Sequence, residues 1–213
     1  MFIFVKSLFC NSIETYNQTL KGLDSLYNFT KIITEPFSVV LMGYIGDYTL
    51  PHYNWKSCYI ETWPDNRGKC FLYKRIGQLS HISQKDIIIY SDHDILFDER
   101  WNILDLLPYL ENNEIVAPNQ FGDCRHQPDA YTDNPLPHSI AFGCFISKAS
   151  IFFDPNRIID EYLYGPDDYL ISQGLKKKCI FNIWVCHPET PNDDYKAWKL
   201  LEARKFFKCQ GTI

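Results

Sequence analysis

The stretch Asp86-Ile87-Ile88-Ile89-Tyr90-Ser91-Asp92-His93-Asp94-Ile95-Leu96-Phe97-Asp98 decides how the rest of the chain is read. Its consecutive β-branched residues suit a strand covered on both faces, as in a parallel sheet flanked by helices. In open α/β sheets ligands bind outside the carboxyl ends of such strands, so Asp92 and Asp94 stand where a ligand would. If the strand continues, residues two apart share one side: the two carboxylates converge and His93 faces away. Convergent carboxylates repel each other, and a hard divalent cation, Mg2+ or Mn2+, relieves the repulsion and can bridge to phosphate oxygens. Acidic residues also end strands simply because a turn follows. The strong strand before this pair and the apolar residues after it favour a ligand site.

Upstream, Phe2-Ile3-Phe4-Val5 has strand length, and Ile13 to Tyr27 follows with apolar residues at helical spacing. Ser38 to Met42 reads as a second strand ended by Gly43 and Gly46, and Cys58 to Glu61 as a short third. Trp63 to Gly68 reads as a turn, and Cys70 to His81 as a helix leading into the strand at Ile87. Strands alternating with helices imply an α/β fold, a mostly parallel central sheet with helices on both faces.

Downstream, Trp101 to Leu110 predicts a helix, and Ile115-Val116-Ala117 a strand closed by Pro118. Asn119 to Pro137 changes to Gly, Asp, Asn and Pro without apolar period; a loop of that length in a compact domain is usually functional or mobile. Ser139 to Ile146 and Ile151 to Phe153 are β-like. Asp167 to Lys178 predicts a helix whose closing lysines complement its dipole. Phe181 to Cys186 is a last strand with His187 directly after it, and Trp198 to Lys208 a terminal helix.

Composition limits the partners. With 213 residues, 46% hydrophobic and 16% aromatic, the chain can bury one sizeable core, and disorder is excluded. A net charge of -5 argues against broad nucleic-acid binding, which draws on a basic surface. The eight cysteines include no Cys-x-x-Cys pair, which argues against a zinc site and for free thiols in a reducing compartment; disulfides are permitted but not required. The apolar run before Lys6 is too short for a signal peptide or a membrane span, so a cytoplasmic protein is expected.

Asp92 and Asp94 after a central strand, Gly165-Pro166-Asp167-Asp168 opening a helix, and His187 ending the last strand together resemble the GT-A class of nucleotide-sugar glycosyltransferases. Phe71-Leu72-Tyr73-Lys74-Arg75 followed by Asp86 to Asp94 is similar to its retaining, UDP-sugar-using branch, related to glycogenin and lipooligosaccharide galactosyltransferases. Size and Ser91-Asp92-His93-Asp94 also resemble N-terminal domains of glycosyltransferases encoded by large chlorella viruses, which implies the host cytoplasm. The resemblance implies a GT-A-like, Rossmann-related mixed sheet in one domain over residues 1–213. Its nucleotide-binding half covers about 1–98 and its acceptor-binding and catalytic half about 99–213.

The implied reaction moves a hexose or deoxyhexose from a UDP-sugar such as a UDP-glucose-like donor to a glycan or glycoprotein acceptor, with retention, in viral or surface glycan synthesis. Asp92, Asp94 and His187 would hold Mn2+ or Mg2+. Lys6, Ser7, Leu8, Arg75, Ser91 and Asp92 would bind the donor, and Asp167 or Asp168 would act on the sugar, with Asp123, Asp129 and Asp133 as reserves. Imidazole beside two carboxylates favours Mn2+ over a purely oxygen-seeking ion. Asp167 and Asp168 also have a plain role as helix-capping acids, and His187 as a packing residue. Gly-Pro before Asp167 and the 119–137 loop depart from the retaining branch, and the end at Ile213 is compatible with a longer multidomain chain.

Two rivals remain. A haloacid-dehalogenase-like phosphotransferase also places Asp-x-Asp after an apolar strand, but usually near the start and with Thr or Val where Leu96 stands. A noncatalytic nucleotide- or glycan-binding module would keep the fold without turnover.

Overall fold

The computed structural model describes residues 1–97, 100–121, 143–154, 156–157, 174–188, 197 and 201. The expected Asp167–Asp168 helix start, the reserve acids Asp123, Asp129 and Asp133, and all of Trp198–Lys208 except Leu201 lie outside them.

Eight strands form one sheet among the described residues: β1 Phe2–Phe9, β2 Phe37–Tyr44, β3 Cys58–Trp63, β4 Ile87–Ser91, β5 Leu96–Phe97, β6 Ile115–Phe121, β7 Cys144–Lys148 and β8 Lys177–Cys186. Their order is β3-β2-β1-β4-β7-β6-β8-β5. β3, β2, β1 and β4 run parallel; β7 is antiparallel to both β4 and β6, β8 parallel to β6, and β5 antiparallel to β8. The sheet grows outward from β1 through β2 and β3, then resumes on the other side of β1 with β4. That reversal falls at the carboxyl ends of β1 and β4, the place where open α/β sheets take ligands.

Strand periodicity divides the core between two faces. Ile3, Val5, Ile88 and Tyr90 point to one side, packed by Cys70, Leu72, Tyr73 and Ile76 of helix α2, Gly68–Ile76. Phe4, Leu8 and Ile89 point to the other, under Leu23, Leu26 and Phe29 of helix α1, Ile13–Thr30. Each such buried side chain contributes about 1.5–3 kcal/mol. α1 starts sharply because Ser12 and Thr15 form a reciprocal capping box.

Four sequence expectations are corrected. Residues Ile103–Glu111 form a 3-10 helix and not an α-helix; Pro108 inside it has no N–H to give an α-helical bond. Ala149–Phe153 is also 3-10 and not a strand. β6 runs through Pro118 instead of stopping there: its pairing to β7 has ended at Val116, and the ladder to β8 shifts register at Pro118/Asn119. Lys177 and Lys178 open strand β8 and do not close a helix.

Candidate metal and donor site

β4 ends at Ser91, and the two acids lie beyond it in a β-turn, Asp92 to Ile95, closed by the Ile95 N–H donating to the Asp92 carbonyl at 3.2 Å. The Asp92 N–H is anchored on Gly143 O at 2.7 Å. The acids therefore owe their shared location to a turn and not to strand alternation. His93, expected to face away, is half-buried with Nδ1 3.9 Å from Asp94 Oδ1 and its ring edge-on to Phe9.

Asp94 is 4% exposed, and its Oδ2 lies 3.4 Å from His187 Nε2, just past the end of β8. The two residues are 93 positions apart in sequence, and the fold brings them together. Among the described residues Oδ1 of Asp94 is buried without a hydrogen-bond partner, and a buried carboxylate oxygen left so calls for a partner such as an ion or a water. Burial alone would push the Asp94 carboxyl up, but His93, His187 and Lys6 hold it well below the usual carboxylate range. Burial also pushes the His93 imidazole down, against the pull of Asp94 and Asp92. Burial lowers the pKa of Lys6 to about 8, against the pull of Asp94, Cys144 and Asp92.

Asp92 is turned elsewhere. Tyr90 donates its hydroxyl to Oδ1 at 2.7 Å, and Lys69 lies 3.1 Å from Oδ2. Among the described residues no three His, Cys, Asp or Glu side chains are grouped to hold a metal ion. The orphaned Asp94 oxygen and the facing imidazole fit a divalent cation through oxygen and nitrogen donors, with Asp92 presently matched to an ammonium.

The expected donor residues fall into two sets. Ser7 and Leu8 lie at the carboxyl end of β1, past its last partner in β4, since that ladder stops at Lys6 opposite Ser91. Their backbone borders the reversal, while the Leu8 and Ser91 side chains are buried. Lys6 is wholly buried, and its ammonium donates to Ile95 O at 2.7 Å. Arg75 is held by Glu61 of β3, with Nε 2.7 Å from Oε1. At 1.5 Å per residue, Arg75 sits about 9 Å further along α2 than Lys69. Sequence reasoning missed Lys69; its signal was a lysine in the opening turn of a helix that has no acid there.

Partial burial pulls Glu61 up, but hydrogen bonds from Arg75, Trp63 and Tyr59 bring it down to about 2. A depressed carboxyl pKa gives stability that is present above the unfolded value near 4.5 and is lost as pH falls toward 2. Glu61→Gln is therefore expected to lower stability at pH 7, by no more than about 1 kcal/mol for a partly solvated pair, and the melting temperature with it. The gap to wild type should narrow from pH 5 to pH 3; thermal melts across that range check it.

No protein-family model matches the sequence, and no curated protein matches it. Among solved structures, HddC from Yersinia pseudotuberculosis aligns at TM-score 0.57 and 12% identity, over 97% of this chain and all of that one. The inositol-1-phosphate CTP transferase of T. maritima aligns at TM-score 0.53 and 11% identity, over 95% of each chain. The galactosyltransferase LgtC, solved with donor and acceptor sugar analogs, aligns at 0.47 and 10%, too loosely to weigh. Among the described residues no helix is long and apolar enough to cross a membrane. The chain has a GT-A-like, Rossmann-related α/β fold.

Proposed function

We propose that this protein is a metal-dependent glycosyltransferase that moves a hexose or deoxyhexose from a UDP-sugar to a glycan acceptor with retention of configuration. One observation carries the reading: the Asp92–Ile95 turn sits at the β1/β4 reversal and meets His187 through Asp94. Asp94 and His187, joined by Asp92, would hold Mn2+ or Mg2+, which supplies positive charge to the departing diphosphate. Lys69 adds a fixed ammonium beside Asp92, and Tyr90 fixes that carboxylate's orientation. The backbone of Ser7 and Leu8 borders the place for the nucleoside. Asp167 or Asp168 is assigned the action on the sugar.

Cytidylyl transfer is the second reading, favoured by the fold match to the CTP transferase. A triphosphate cradled at the β1–α1 connection wants glycine-rich backbone and open helix N–H groups. Here the connection is Cys10-Asn11-Ser12, the capping box occupies the helix start, and Glu14 in the first turn repels phosphate. That favours a diphosphate held at the Asp92–Asp94 turn instead.

Thermal shift with Mn2+ and a nucleotide panel, followed by product analysis, tests the proposal. UDP and UDP-hexoses should stabilise most, by about 2.7 kcal/mol at a hundredfold excess over Kd, and a UDP-hexose should release UDP. Equal stabilisation by GDP and UDP, or pyrophosphate release from CTP and a sugar phosphate, contradicts it. Phosphatase activity on simple phosphomonoesters would point instead to a phosphotransferase.

A further inference from the structure

Lys6 is 0% exposed and lies on the α1 face of β1, between Phe4 and Leu8. Burying an ammonium is costly unless polar partners compensate, and a methionine would fill the same slot without that cost. Packing alone does not explain a lysine here. Its Nζ donates to Ile95 O at 2.7 Å, the last residue of the turn that carries both acids. α1 presses on the same turn from outside: a Cβ on Gly22 would stand 2.1 Å from His93 O and 2.9 Å from Lys6 Nζ. Three residues further along α1, Ser25 Oγ binds both the N–H and the carbonyl of Phe97, at 2.7 and 3.0 Å.

We infer that Lys6 is a positioning residue: its buried ammonium pins the Asp92–Ile95 turn from beneath, so that Asp92 and Asp94 are presented in one fixed arrangement. The inference rests on reading that turn as the donor site. Lys6 touches neither donor nor metal in this role. It acts through the Ile95 carbonyl, while Gly22 lets α1 close over the turn and Gly143 holds its leading end. Displacements of about 1 Å in such a support cost on the order of a hundredfold in rate.

The test is Lys6→Met, read below its melting temperature by Mn2+ binding with UDP present and by amide hydrogen exchange. Mn2+ affinity should fall about 10–100-fold, the usual effect of losing a support behind a ligand. Exchange should quicken at least about tenfold in 93–97 while protection of β1 and β2 is unchanged, a pattern that general destabilisation does not give. Lys6→Gln, which keeps a donor on a shorter stem, is read the same way should Lys6→Met not fold. Wild-type Mn2+ affinity together with wild-type protection of 93–97 in the variant overturns the inference. A wild-type protein that binds no Mn2+ defeats the reading of the site instead, and the exchange of 93–97 then decides the role of Lys6.

Discussion

Asp94→Asn is expected to cut sugar transfer by at least about a hundredfold, and by up to a thousandfold, the range seen when one electrostatic support of a transition state is removed. The amide keeps the shape of the side chain but loses the charge that faces His187 and the orphaned oxygen that would face a cation. Donor binding and turnover should therefore fall together, so kcat falls and KM rises. The variant also loses a carboxylate whose ionised form its surroundings favour. A cost of about 1–3 kcal/mol follows from disturbing a buried polar site. For a chain of this size that lowers Tm by a few degrees per kcal/mol and leaves the protein folded at 25 °C. Steady-state kinetics beside a thermal melt separate the two effects, and wild-type turnover in the variant would remove Asp94 from the mechanism.

Lys69→Met is the second large expectation, and only one of its two readouts should fall. The ammonium is 3.1 Å from Asp92 Oδ2 and 5.8 Å from the centre of the Tyr90 ring. Losing it removes positive charge from where a diphosphate departs, so kcat/KM for the UDP-sugar should fall about a hundredfold, or about 2.7 kcal/mol. The same change relieves Asp92 of a competing cation, so Mn2+ affinity without nucleotide should hold or rise. Lys69→Arg should retain most turnover, because it keeps the charge. A joint loss of Mn2+ affinity and turnover in Lys69→Met would make Lys69 a structural support of the turn and not a donor contact.

Much of this was legible where periodicity is strong. The runs at Phe2, Ser38 and Ile87 became β1, β2 and β4, and their order placed the acids at the sheet reversal. Asp94 and His187 could be paired from sequence because both follow strands that end at one sheet edge. What failed depended on partners that no local pattern encodes. Pro118 reads as a strand end, yet β6 continues because its neighbour on one side has already stopped. Lys176-Lys177-Lys178 reads as a helix end by charge, but the chain there is already entering β8. On α2 the family resemblance points to Arg75, which pairs with Glu61, while the opening turn that carries Lys69 faces Asp92. Lys6 was visible as a lysine in the apolar series Phe2, Phe4, Lys6, Leu8. Only the contact with Ile95 gives that lysine a use.

Electron paramagnetic resonance of Mn2+ bound in the presence of UDP tests the central claim most directly, with nitrogen coupling as the reporter of a histidine ligand. The expected result is a bound-manganese spectrum with imidazole nitrogen coupling in the wild type, loss of that coupling in His187→Gln, and loss of bound manganese in Asp94→Asn. A spectrum of free manganese with the wild type, or bound manganese whose nitrogen coupling persists in His187→Gln, would contradict a metal-dependent donor site at Asp94 and His187.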